Sequence, residues 1–280
     1  MSTRINHNIL SLTGQRNVYQ NQLSMDTAIN RLSSGLRINN AWDDPAGLAV
    51  SERFRAQIAS MDEAERNMEY SVNMLATAEG SLSVIDEKLI RLRSLSVQAS
   101  NGTLTDNDRA SLDVEFQQLK SEITRIANVT NYNGLYLLNG TYSGSGSNGI
   151  KLHIGTYNTA NNDYYYVSMG NMTASALGLD SLNVLNTVNS QSAITALDTA
   201  INSKDTERTR IGSYVSRLRN SILNIQIQHE NAVASESQIR DADIAQEMSA
   251  FVRSQILMQT SISMLAQANQ TPQIVAQLVG

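Results

Sequence analysis

Cysteine is absent from this sequence, proline occurs only at Pro45 and Pro272, and aromatic residues make up 5% of it, with one tryptophan and three phenylalanines. The first absence excludes a disulfide framework and thiolate chemistry. Two prolines leave long stretches free of helix breakers. A core with so few rings has to be built from Leu, Ile, Val, Met and Ala, which suits helix-on-helix packing. Basic excess is missing too: the formal net charge is −5, whereas a nucleic-acid footprint needs a basic stripe. No run of about 20 apolar residues exists to span a bilayer. The opening stretch, MSTRINHNILSLTGQRNVYQ, lacks the continuous apolar core of a secretory signal peptide. Export, if it occurs, is therefore expected without a cleaved signal.

Catalytic constellations are equally scarce. His7, His153 and His229 lie far apart on different expected elements. No H-E-x-x-H, Gly-rich phosphate loop or Ser/His/Asp order stands out, and GSGSNG lacks the lysine of a phosphate loop. No enzymatic role, metal or cofactor is expected. His229 falls on a helical seam position and reads as a packing or polar seam residue.

What is present is helical periodicity. Ile5, Ile9, Leu12, Tyr19, Leu23, Ile29, Leu32 and Leu36 follow spacings of three, four or their sums, with a slip near Asp26. The stretch 39–47, NNAWDDPAG, interrupts them, and Pro45 behind Asp44 predicts a new helix start. A long repeat follows through Phe54, Ile58, Met61, Met68, Val72, Leu75 and Leu82, with Glu65 and Glu79 filling two of its positions, and continues to Leu95. From Ser51 to Ala99 it spans roughly 70 Å at 1.5 Å per residue. A third helix carries Leu112, Phe116, Leu119, Ile123 and Ile126 and ends at NYNG, 131–134. The loop TYSGSGSNG, 141–149, precedes two strand-like runs that predict a β-hairpin near 150–169. Ile211, Val215, Leu218, Ile222, Ile225, Ala232 and Ile239 form a further series, with His229 and Glu236 in step. The last comprises Ile244, Met248, Phe251, Met258, Ile262 and Leu265. The expected fold is mainly α: a long antiparallel helical bundle or coiled coil with a small β-hairpin region.

Residues 254–280 contain no charged side chain but seven Gln or Asn. Exposed helices ordinarily alternate Glu and Lys, while helices enclosed by protein avoid unpaired charge. The apolar stripes at both ends are also wider than a two-helix pair can cover, since Val252, Ile256 and Leu257 flank the last series. Neighbouring copies are the expected cover, and a head-to-tail contact that does not close generates an open helical filament.

Several strings carry a family resemblance. RINHNILSL, RLSSGLRINNAWDDPAGLAVSERFRAQI, IRLRSLSVQASNGT and RIANVTNYNGLYLLNG resemble the amino-terminal region of bacterial flagellins, and ESQIRDADIAQEMSAFVRSQILMQTSISMLAQANQTPQIVAQLVG resembles the carboxy-terminal region. Together they cover nearly all of the chain outside roughly 141–190. The resemblance implies a minimal two-domain flagellin without outer variable domains. Residues 1–43 and 237–280 would pair as an inner coiled-coil polymerisation domain, and 44–236 would form the helical rod domain. Assembly would rest on Ile5, Ile9, Leu12, Leu23, Ile244, Met248, Phe251, Met258, Ile262 and Leu265, with Asp43, Asp44 and Pro45 as the domain connector. Implied partners are copies of itself, a flagellar export chaperone, filament cap and hook-junction proteins, and the type III export apparatus. A hook–filament junction protein is the alternative within this design; a membrane-active type III translocator, which also combines heptads with apolar segments, is less favoured because no segment is long enough to span. The implied location is an extracellular flagellum, or a periplasmic one. The resemblance also places a toll-like receptor contact at Arg91, Leu95 and Glu115, although Ser94 stands where that motif commonly has Glu. Trp42, beside the connector, is read as packing at the domain joint.

Overall fold

The computed structural model describes residues 7–144 and 148–279, with side chains as far as Thr271. Ile5 and the middle of the 141–149 loop lie outside the described residues. Five helices and two small sheets are formed: α1 (Ile9–Ser34), α2 (Pro45–Ala99), α3 (Asp106–Val129), β1 (Asn131–Tyr132), β2 (Leu135–Tyr136), β3 (Ile150–His153), β4 (Tyr164–Val167), α4 (Thr187–Arg240) and α5 (Ile244–Val279). The mainly α class expected from the periodicity is the class found. The chain divides into two compact units, Met1–Ile58 with Glu230–Gly280, and Ala59–His229.

Each helix starts where a short polar side chain can satisfy its orphan amides. Asn8 Oδ1 accepts from Ser11 N at 3.1 Å, and Asp44 Oδ1 from Gly47 N at 2.9 Å. Thr105 and Asp108 form a reciprocal capping box. Asn186 Oδ1 accepts from Asn189 N at 2.7 Å, and Asp243 Oδ1 from Ala245 N at 2.9 Å. Gly35 closes α1 in the left-handed region at φ +71, with its amide bonded to Arg31 O.

The 59–229 unit holds the core. Leu75, Leu82, Ile85, Leu89 and Leu92 of α2 are fully buried, with Phe116 and Ile123 of α3, Val167 of β4, and Leu197 and Leu218 of α4. Seam positions of α2 filled by charge are matched from α4. Glu79 receives Arg208 Nη2 at 2.6 Å, Glu65 receives Gln226 Nε2 at 2.6 Å, and His229 Nε2 lies 3.0 Å from Asp62 Oδ1.

The predicted hairpin is β3–β4, antiparallel, with Ile150 opposite Val167 and His153 opposite Tyr164. A second, smaller one was not foreseen. Asn133 and Gly134, expected only to end α3, both have positive φ (50 and 81) and turn β1 back onto β2, the signature of a type I′ turn.

Helix α4 also departs from expectation, beginning at Thr187 rather than near Ile211. Its first half buries Ser190, Ala193, Leu197, Ala200, Lys204 and Glu207 on one three-four series. Small and charged residues hide that face from a hydrophobic pattern. Lys204, almost wholly buried, is held by Asp86 Oδ1 at 2.6 Å and Asp205 Oδ1 at 2.7 Å. Burial opposes its charge, but the bonds to Asp205 and Asp86 outweigh it and raise the ammonium's pKa above the ordinary lysine value.

The irregular stretch before α4 is held by a polar face of α3. Lys120 Nζ donates to Asp180 O at 2.8 Å and Leu182 O at 3.0 Å. Val184 N donates to Asp113 Oδ1 at 2.9 Å. These bonds satisfy backbone groups that no sheet or helix pairs.

Candidate assembly surface

In the terminal unit, α1 and α5 run antiparallel. Asn8 Nδ2 donates to Ala268 O at 2.8 Å, Asn21 Nδ2 to Ser261 Oγ at 3.0 Å, and Arg31 Nη1 meets Glu247 Oε1 at 2.9 Å. The shielded positions of α1 include Ser11, Gly14, Val18, Asn21, Met25, Ala28 and Leu32, spaced alternately by three and four, with Arg31 beside Leu32. Those of α5 include Phe251, Ser254, Met258, Ser261, Leu265 and Ala268. Gly14 sits at the close approach: a Cβ there would lie 3.2 Å from Leu265 Cδ1, a tight contact that the leucine would have to give way to.

This seam and the stripe expected from the sequence coincide only in part. Among the expected assembly residues, Ile9, Leu12, Leu23, Ile244, Met248 and Ile262 are exposed, Leu12 at 63% and Ile262 at 51%. Phe251, Met258 and Leu265 are half-buried in the seam. The series on α5 is therefore split between an inner and an outer face. Tyr19, Ile29, Val252, Ile256, Leu257 and Met264 are exposed as well. The seam mixes small residues (Gly14, Ala28, Ser254), where the backbones come close, with Val18, Met25, Phe251, Met258 and Leu265, and the remaining bulky side chains are turned outward. Apolar surface of this extent, on both helices, marks an interaction site.

The connector is tightly built. Asp43 Oδ2 accepts from the amides of Asn39 (3.1 Å) and Asn40 (2.9 Å). Gly47 is required beside it: a Cβ would collide with Asp44 Oδ2 and lie 2.8 Å from Ile38 Cδ1. Trp42 does not pack as expected. It is 80% exposed.

Of the three expected receptor residues, Arg91 and Glu115 pair on the surface through two bonds, Nε–Oε1 at 2.7 Å and Nη2–Oε2 at 3.0 Å. The bond to Arg91 holds the Glu115 carboxyl below its ordinary range. Leu95 is fully buried and has no side-chain surface to offer a docking partner. Among the described residues no cluster of metal-ligating side chains forms, and no helix is long and apolar enough to cross a membrane.

A paired-helix unit that leaves many of its large apolar side chains facing outward fits a helical structural protein that associates. Comparison with known proteins places it. The bacterial flagellin N-terminal helical region matches residues 5–143, and the bacterial flagellin C-terminal helical region matches 194–279. The chain is similar to a flagellin of Halalkalibacterium halodurans, 41% identical over 275 residues, which covers 98% of this chain and 99% of that one. It is likewise similar to a flagellar filament 33 kDa core protein of Treponema phagedenis, 38% identical over 283 residues with 98% and 99% coverage. Among solved structures, a putative flagellar hook-associated protein from Vibrio parahaemolyticus shares the fold with a TM-score of 0.54 at 19% identity, covering 71% of this chain and 100% of that one. The chain belongs to the bacterial flagellin family, and no outer variable domain is evident between its two helical regions.

Proposed function

We propose that this flagellin is the structural subunit of a flagellar filament, polymerising into the helical propeller used for motility. The observation that carries the reading is the outward placement of Leu12, Tyr19 and Leu23 on α1 and of Val252, Ile256 and Ile262 on α5. Burying an aliphatic side chain from full exposure is worth about 1.5–3 kcal/mol; these are still roughly half exposed and have a part of that left to gain, and sister copies supply the cover. In this reading residues 1–43 with 237–280 are the polymerisation domain and 44–236 the rod domain, joined through Asp43, Asp44 and Pro45.

The test is removal of residues 254–280. Filaments vanish from electron micrographs, while the helical signal and melting of the 59–229 unit persist. Filaments of normal length from the truncated chain would sink the reading. A hook–filament junction protein, the alternative, would stop at short oligomers of the intact chain; whole-length likeness to a flagellin and a filament core protein favours the filament subunit.

Family membership and the bare apolar face of α5 also support an export chaperone that covers this helix before assembly. They support passage through the type III export apparatus, and contact with cap and hook-junction proteins at the filament ends. The filament then stands outside the cell or in the periplasm. A host toll-like receptor contact rests on the accessible Arg91–Glu115 pair, with Leu95 contributing only by packing. Undiminished binding of an Arg91→Ala variant to the receptor ectodomain would remove that contact.

A further inference from the structure

The ions of the terminal helix pair do not balance within one chain. α1 carries Arg16, Asp26 and Arg31, and α5 carries Glu247 and Arg253. Arg31 and Glu247 pair with each other. Asp26 and Arg253 are both exposed, and neither is ion-paired among the described residues. They nevertheless stand at the same level of the antiparallel pair, because 26 falls between Asn21 and Arg31 while 253 falls between their partners Ser261 and Glu247.

Each ion is set in apolar surface. Leu12, Tyr19, Leu23 and Asp26 are spaced seven, four and three apart, so they share one outward face of α1. Arg253 lines a shallow depression of about 560 Å³ on α5 with Met248, Ser249, Val252, Ile256 and Leu257. Covering either face by apolar surface alone would enclose an unpaired charge, which is strongly unfavourable. Arg16 lies on the same stripe as Asp26 but ten residues away, about 15 Å along the axis, so it cannot reach that carboxylate within the chain. It also does not line the depression.

Resting on the filament reading, we propose that the Arg253 depression of one copy seats the Leu12–Tyr19–Leu23 stripe of a second copy, with Asp26 and Arg253 forming the ion pair that sets their register. The aliphatic contacts supply adhesion without fixing axial position. One opposite-charge contact permits a single alignment, as a polar seam residue does in a coiled coil.

Charge reversal tests this. The readout is the critical concentration for growth on filament seeds, with circular dichroism checking that each variant folds as the parent does. Asp26→Arg alone and Arg253→Asp alone each raise it about tenfold or more, since like charges then face each other. An equimolar mixture of the two single variants returns to near the parent value, because alternating copies restore every contact, and so does the double reversal. Single variants that grow like the parent overturn the proposal. Rescue by the double reversal but not by the mixture also overturns it, because the pair would then lie within one chain. A parent chain that never polymerises would instead sink the filament reading itself, and this contact with it.

Discussion

In the 59–229 unit the helix seams are filled by Leu75, Leu82, Leu89, Leu92 and Leu218, all withdrawn from solvent. In the terminal unit the seam between α1 and α5 alternates small residues (Gly14, Ala28, Ser254, Ser261) with Val18, Met25, Phe251, Met258 and Leu265, while Leu12, Leu23 and Leu257 face water. The helices are alike in type, but the terminal pair leaves many of its large side chains outside the seam. The 59–229 unit closes its apolar surface into a core, while the terminal unit leaves much of its own exposed; on the filament reading proposed above, neighbours cover it. Stability and assembly are thus assigned to different parts of one chain, and substitutions should separate them.

The largest separation is expected from one leucine in each unit. Leu89→Ala leaves a cavity in a closed core and destabilises the monomer by about 3 kcal/mol. Leu12→Ala removes surface that the monomer never buried, so it shifts stability by no more than about 0.5 kcal/mol while weakening polymer growth. Denaturant melts of the monomer and seeded-growth assays read the two effects. Equal destabilisation by both variants would break the comparison.

A smaller effect is expected at the buried lysine. Asp86→Ala removes one of the two carboxylates that hold the Lys204 ammonium, at a cost of about 2 kcal/mol, again read by monomer melts. The sign of its pH dependence follows from the raised pKa. The stabilisation is full below the ordinary lysine value and is lost as pH climbs through the higher folded value. The parent therefore loses stability on that alkaline side, and the Asp86→Ala variant loses less. Smallest is the cap at the start of α2: Asp44→Ala should cost about 1 kcal/mol, measured the same way. The Asp43 turn that precedes it stays in place.

Legibility in the sequence followed residue size. The second half of α4 could be read because Ile211, Leu218 and Ile225 recur on its seam. Its first half could not, because Ala193, Ala200, Lys204 and Glu207 occupy the same face. Lys204 and Glu207 look like solvent residues until their partners Asp86 and Arg210 are brought in from elsewhere in the fold or helix. Lys120 and Asp113 were invisible for a similar reason: they bind backbone of a segment some 60–70 residues away, and no local pattern announces that. On the terminal helices, hydrophobic spacing marked the exposed Leu12, Leu23 and Ile262 together with the seam residues Phe251, Met258 and Leu265, and did not separate the two faces. Hydrophobic spacing points to the widest stripe, whereas two helices in close contact prefer the narrow one lined by Gly14, Ala28 and Ser261.

Taken alone, the order of residues determined where the chain is helical, where Asp44, Thr105 and Gly35 stop or start it, and which family it belongs to, because capping and periodicity act over a few residues. Only the folded chain decided which stripe of α1 and α5 closes on itself and which stays bare. That choice depends on how near two backbones can approach, a property of facing surfaces that neither helix carries by itself.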